Sequence, residues 1–139
     1  MIMYKIAYVL FCAIVFIACN KEEPDCEPGA CTEEFRSLYM RFTDKDGKYV
    51  NVKDYSAVNM RTGERTNPIT EPVIDFLYPT FIVANDSYTK RISMAGDEFK
   101  VTGTYEATGQ TKSAIIKISG GKCACHIEKL SGPEKIVFD

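Results

Sequence analysis

The sequence predicts an all-β domain, an antiparallel β-sandwich of about seven short strands. Three observations carry this. Runs that alternate apolar and polar residues recur from Leu38 onward. Turn residues separate them at short intervals, as in Asp44-Lys45-Asp46-Gly47, Thr108-Gly109-Gln110 and Ser131-Gly132-Pro133. No strong helical periodicity competes with them.

Taken in order, Glu34 to Thr43 alternates, with Leu38, Met40 and Phe42 on one face and Ser37, Tyr39 and Arg41 on the other. Asp44 to Lys48 is a turn in which Gly47 takes the positive φ. Asp44 and Asp46 are placed as in a calcium loop, but the third acid and closing Glu are missing, so a plain turn is expected. Tyr55 to Met60 is a second strand, turned by Arg61 to Glu64. Asn67 to Pro79 holds Pro68, Pro72 and Pro79 and reads as a long connection with at most a short edge strand. Phe81 to Ala84 is a short buried strand. Between Asn85 and Ala95, Asp86 or Ser87 is positioned to cap one helical turn ending near Ile92, closed by Gly96-Asp97.

Phe99, Val101, Tyr105 and Ala107 alternate with polar residues, with Gly103 expected at a bulge. Thr111 to Ser119 returns with Ala114, Ile116 and Ile118 inward, so the two runs form a hairpin. Lys122 to Leu130 reads as the next strand, placing Cys123, Cys125 and Ile127 on one face and Ala124, His126 and Glu128 on the other. Lys135 to Asp139 is the last strand.

Residues 1–18 have the parts of a secretory signal: positive Lys5, an apolar run to Ile17, and small Ala18 before Cys19. The run is short for a membrane span, which needs about 20 apolar residues. Removing it leaves 121 residues, one domain in size. Lys5 leaves with it, so 17 basic residues become 16 against 19 acidic, a formal charge of −3. With no basic patch, nucleic acid is not an expected partner. The expected division is therefore 1–18 signal, 19–33 a segment that opens on Cys19 and continues as a polar linker, and 34–139 β-domain.

Once Cys12 departs and Cys19 is set aside, Cys26, Cys31, Cys123 and Cys125 remain, an even number in an exported chain. They read as disulfides. Together with His126 they also offer zinc-type ligands, but on a strand Cys123 and His126 point to opposite faces. A Cys123–Cys125 bridge would close a strained ring. A Cys26–Cys31 bridge is feasible but staples only a loop, so both N-terminal cysteines are expected to pair with the Cys123/Cys125 strand. No catalytic residues, metal or cofactor are expected. The glycine-flanked nucleophile serine, the phosphate loop and His-Glu-x-x-His are absent. His126, the only histidine, is expected to sit solvated beside Glu128 on an outer face.

Phe16-Ile17-Ala18-Cys19 resembles the lipobox of bacterial lipoproteins, with Phe16 where Leu is preferred. The resemblance implies that Cys19 is lipidated and becomes the N-terminus. Lys21-Glu22-Glu23 resembles the surface-export signal of Bacteroidetes lipoproteins and implies outward display. The segments ACTEEFRSLYMRFTDKDGKYV, NMRTGE and GGKCACHIEKLSGP resemble a group of Bacteroidetes surface lipoproteins, a likeness that falls on Cys31, Thr32, Glu34, Phe35, Arg36, Asp44, Gly47, Cys125 and His126. The strand-and-turn layout is similar to transthyretin-like and immunoglobulin-like modules. The expected function is a non-enzymatic binding or adhesion module, anchored to the outer membrane through its lipid and facing a surface protein or glycan. The alternatives are an accessory subunit of an outer-membrane assembly or a cysteine-based metal binder.

Overall fold

The structure is a computed structural model that describes residues 26, 31–66, 73–75 and 78–139. The signal, Cys19, Lys21-Glu22-Glu23 and the linker other than Cys26 and residues 31–33 lie outside the described residues, as does most of the proline-rich connection. Among the described residues eight strands form: β1 (Ser37–Thr43), β2 (Val52–Asn59), β3 (Val73–Asp75), β4 (Tyr78–Asn85), β5 (Asp97–Tyr105), β6 (Thr111–Ser119), β7 (Glu128–Ser131) and β8 (Lys135–Val137). A 3-10 helix, Asp86–Arg91, joins β4 to β5. They make two four-stranded sheets, ordered β3-β4-β1-β8 and β2-β5-β6-β7. The expected all-β sandwich is what the chain adopts.

Alternation decides the core. Met40 and Phe42 of β1, Phe81 and Val83 of β4, Ala57 of β2, Phe99 and Val101 of β5, and Ile116 and Ile118 of β6 are all buried in one cluster. Phe42 sits at its centre, edge-on to Phe81 at 5.3 Å and to Tyr55 at 6.1 Å, and stacked on Phe138 at 6.0 Å. Tyr55 crosses the sandwich from β2, and its hydroxyl donates to the Ile82 carbonyl of β4 at 2.9 Å. Burial pushes the Tyr55 phenol well above its ordinary pKa, so this pin stays a neutral donor. Buried Thr66 marks where the chain leaves β2 for the other sheet. Its backbone N–H donates to Ala57 at 3.1 Å and its hydroxyl to the Val83 carbonyl at 2.5 Å.

Several expectations shift. All named pairings are antiparallel except β1 with β8, which is parallel, aligning Arg41 with Lys135, Phe42 with Ile136 and Thr43 with Val137. β4 begins at Tyr78 and includes Pro79. This is tolerated because β1 pairs with β4 only from Phe81 to Asn85, so Pro79 faces a single partner strand. Asn85, not Asp86 or Ser87, caps the helix, its side chain accepting from Ser87 N at 3.1 Å. Gly103 sits at a bulge on its β2 side, as expected: Lys53 pairs with Thr104 and Ser56 with Thr102, so Asp54 and Tyr55 together face it, while the β6 side is regular. It pairs there with Lys112, and a Cβ on Gly103 would lie 2.5 Å from Val52 and 2.7 Å from Phe42. Glycine is needed at that point for close packing.

The strand expected over Lys122 to Leu130 is only Glu128–Ser131. Gly121 turns the chain with φ +109, and Ala124 N bonds back to Gly121 O at 3.1 Å. Ile127 N donates to the Asp86 carboxylate instead of to a strand. Cys123 and Cys125 are therefore on a loop, and the opposite-face argument for His126 does not apply.

Candidate functional site

Strand polarity gives the sandwich two ends. At one lie the start of β1, the 3-10 helix and the β6–β7 loop. At the other lie the Asp44–Lys48 turn, the β5–β6 turn and Asp139.

The first end is covalently clamped. Cys26 is bonded to Cys123 and Cys31 to Cys125, with Cα separations of 5.1 and 5.3 Å. Both bridges run from the N-terminal segment to the β6–β7 loop, as expected. The thiols that a cysteine-based metal site would need are thus taken up. A loop near 100 residues is worth about 4.7 kcal/mol in the chain-entropy treatment, the second bridge adding less.

Beside the bridges sits an arrangement that the sequence reading missed. Asp86 Oδ2 accepts from Arg36 N at 2.7 Å and from His126 Nδ1 at 2.7 Å, and Oδ1 accepts from Ile127 N at 2.9 Å. The Thr32 hydroxyl and His126 Nε2 share a 2.9 Å hydrogen bond. The side chains of His126 and Asp86 are only 13% and 9% exposed. His126 is therefore largely buried against Asp86 and is not a solvated partner of Glu128. Burial pushes the Asp86 carboxyl up. The hydrogen bonds from Arg36, His126 and Ile127 outweigh it and hold the group below the usual carboxylate range. Thr32, His126 and Asp86 stand in the hydrogen-bond order of a nucleophile, base and orienting acid. Catalysis by such a set also requires preorganised donors for a developing oxyanion. The contacts of Asp86 run to the segments flanking both disulfides, so the cluster fastens the clamp. A signal was present in the sequence: Asp86 leads a helical turn, and Thr32 and His126 each follow a cysteine.

A second buried carboxylate braces the same end from the other side. Asp97 receives Arg61 Nε at 2.7 Å and Nη2 at 2.8 Å, Asn59 Nδ2 at 2.7 Å and Ser93 N at 3.3 Å. Burial raises its pKa, but these bonds from Arg61, Asn59 and Ser93 leave it below the ordinary value.

Grooves open along the outer side of β1 and around the far turn. One of about 550 Å³ is lined by Arg41, Thr43, Tyr49, Glu134, Lys135 and Val137, among others. A second, of about 450 Å³, lies between the Asp44–Asn51 segment and Tyr105-Glu106-Ala107 and shares Tyr49. Tyr49 stacks on half-exposed Tyr78 at 4.3 Å between ring centres. The outward placing of Tyr39 and Arg41 was legible from strand alternation. That Lys135 lies across from Arg41 was not, since it depends on a parallel pairing over some ninety residues of sequence.

Comparison with protein-family models, with curated proteins and with solved structures finds no match to this chain.

Proposed function

We propose that this chain is a lipid-anchored, non-enzymatic binding module displayed on the outer membrane surface. Lipidation at Cys19 and outward display rest on the lipobox-like Phe16-Ile17-Ala18-Cys19 and on Lys21-Glu22-Glu23. The observation that supports the reading best is the Cys26–Cys123 bridge. It fastens the chain seven residues after Cys19, at the end of the sandwich opposite the far-turn grooves. A module held this way keeps its clamped end toward the membrane and its grooves outward. Several acyl chains on one cysteine hold stably where a single chain is marginal.

The test uses whole cells producing the full chain. Cys19→Ser is expected to abolish palmitate labelling and membrane partitioning. Replacing Lys21, Glu22 and Glu23 by Ala is expected to leave the chain lipidated but protected from added protease. Non-reducing peptide mapping is expected to recover Cys26 with Cys123 and Cys31 with Cys125. Membrane retention of Cys19→Ser, undiminished surface digestion of the triple variant, or a Cys26–Cys31 peptide would each count against the corresponding part.

A further inference from the structure

We infer that the groove between β1 and β8 is a binding site for an acidic saccharide, a sugar chain bearing carboxylates. This deepens the binding-module reading and rests on it.

Three features converge there. First, Arg41 and Lys135 are direct cross-strand partners, and both are exposed. Like charges opposite one another on a sheet are destabilising. Neither side chain has a salt bridge or hydrogen bond among the described residues. Two adjacent cations without a carboxylate between them form a seat for an anion, and the guanidinium fork matches a carboxylate in two-point geometry.

Second, the wall beside them is aromatic. Tyr49 and Tyr78 stack at 4.3 Å and Tyr78 is 44% exposed, while Tyr39 stands outward one strand position from Arg41 at 43%. Tyrosine rings offer an apolar face with a polar tip, suited to the C–H face and hydroxyls of a sugar ring.

Third, polar acceptors border the seat. Glu134 lines the groove with an 84% exposed side chain, held among the described residues by a 3.9 Å contact with Lys129. A carboxylate there repels a bare anion but accepts from sugar hydroxyls. Thr43, also lining the groove, carries a buried hydroxyl with no hydrogen-bond partner. Such an oxygen marks a point where a polar ligand or water completes the structure. Two cations, the Tyr49 ring and an acceptor in one groove of about 550 Å³, with Tyr78 stacked behind Tyr49 and Tyr39 beside Arg41, select a charged sugar over a simple anion or a neutral glycan.

The experiment is calorimetric titration of the purified full-length protein in detergent micelles with tetragalacturonate, and with galactotetraose as its neutral counterpart. The acidic sugar is expected to bind, the neutral one at least about tenfold more weakly, and affinity is expected to fall as salt rises. Arg41→Gln and Lys135→Gln should each weaken binding about tenfold or more, as loss of one charge-assisted contact implies. Arg41→Lys should also weaken it, because the two-point geometry is lost. Lys100→Gln, exposed on the other sheet, should have no effect. Each variant is checked by its melting curve, and all these changes are on the surface. Equal binding of both sugars, wild-type affinity in both Gln variants, or no binding of tetragalacturonate would overturn the inference. Surface digestion of whole cells is read separately, so the groove can fail while the anchored-module reading stands.

Discussion

Asp86 is the residue on which the clamped end depends, and its removal has a calculable consequence. Asp86→Ala leaves Arg36 N, Ile127 N and His126 Nδ1 without their acceptor. A hydrogen bond to a charged group is worth about 1.5–3 kcal/mol net. The simple sum overstates the case. The Arg36 contact is exposed, so water replaces it, and the other two share one carboxylate and are not additive. Counting the two part-buried contacts near the lower limit gives an expected loss of about 3–4 kcal/mol. Urea unfolding with the disulfides intact measures it. The pH dependence supplies an independent check through Asp86→Asn, which cannot ionise. Because the folded-state pKa of Asp86 is depressed, its stabilising contribution is complete above the unfolded value near 3.9 and is lost as pH falls through the lower folded value. The gap between wild type and Asp86→Asn should therefore be full at pH 7 and narrow toward pH 2. Asp97 and Asp139, also depressed, titrate in both proteins and cancel in the difference. Wild-type stability of Asp86→Ala, or a gap unchanged by acid, would refute the reasoning.

Two further outcomes test the core. Ile116→Asp or Ile118→Asp places an unpaired charge where each side chain is at most 2% exposed; collapse of the thermal transition is expected, whereas Thr111→Asp, exposed at the hairpin end, should melt near wild type. Gly103→Ala puts a methyl 2.5 Å from Val52 and 2.7 Å from Phe42, and denaturant titration should show a loss of about 1–3 kcal/mol, typical of overpacking; an unchanged midpoint would mean that β2 and β1 yield there at no cost.

How much was legible follows the range of the interactions. The hairpin of β5 and β6 was read nearly residue for residue, because alternation and a Gly109 turn are local signals. The β6–β7 loop misled for the same reason. Cys123, Cys125 and Ile127 alternate as on a strand, but two disulfides and the Asp86 carboxylate, none adjacent in sequence, hold that backbone off the ladder. Gly103 was read as a bulge because a strand glycine commonly marks one. The irregularity is there, on the β2 side; what was not legible is the close packing against Val52 of β2 and a Phe from the opposite sheet. The anion seat was half legible: Arg41 faces outward by alternation, but its partner Lys135 arrives through the parallel pairing of β1 with β8. The cysteine framework was the exception among long-range features, since four thiols in a chain read as exported restrict the pairings by chemistry alone.

The clamp and the groove are linked through chain length. With Cys26 bonded to Cys123, a lipid on Cys19 would be separated from the fold only by Asn20 to Asp25, which reach about 20 Å when extended. Without the bridges the free stretch would run to Glu33, and fourteen residues reach about 50 Å on the same rule. A domain on the longer tether would tumble and present any face, so a groove at one particular end would have no privileged access. Were Cys19 lipidated, the shorter tether would keep the Cys123 end within that reach of the membrane. β1 then runs away from it over seven residues, about 23 Å at strand rise, and Arg41 and Thr43 come late in that strand. With a lipid on Cys19 the disulfides would supply orientation as well as stability, and the seat formed by Arg41 and Lys135 would lie toward the end that such a tether directs outward.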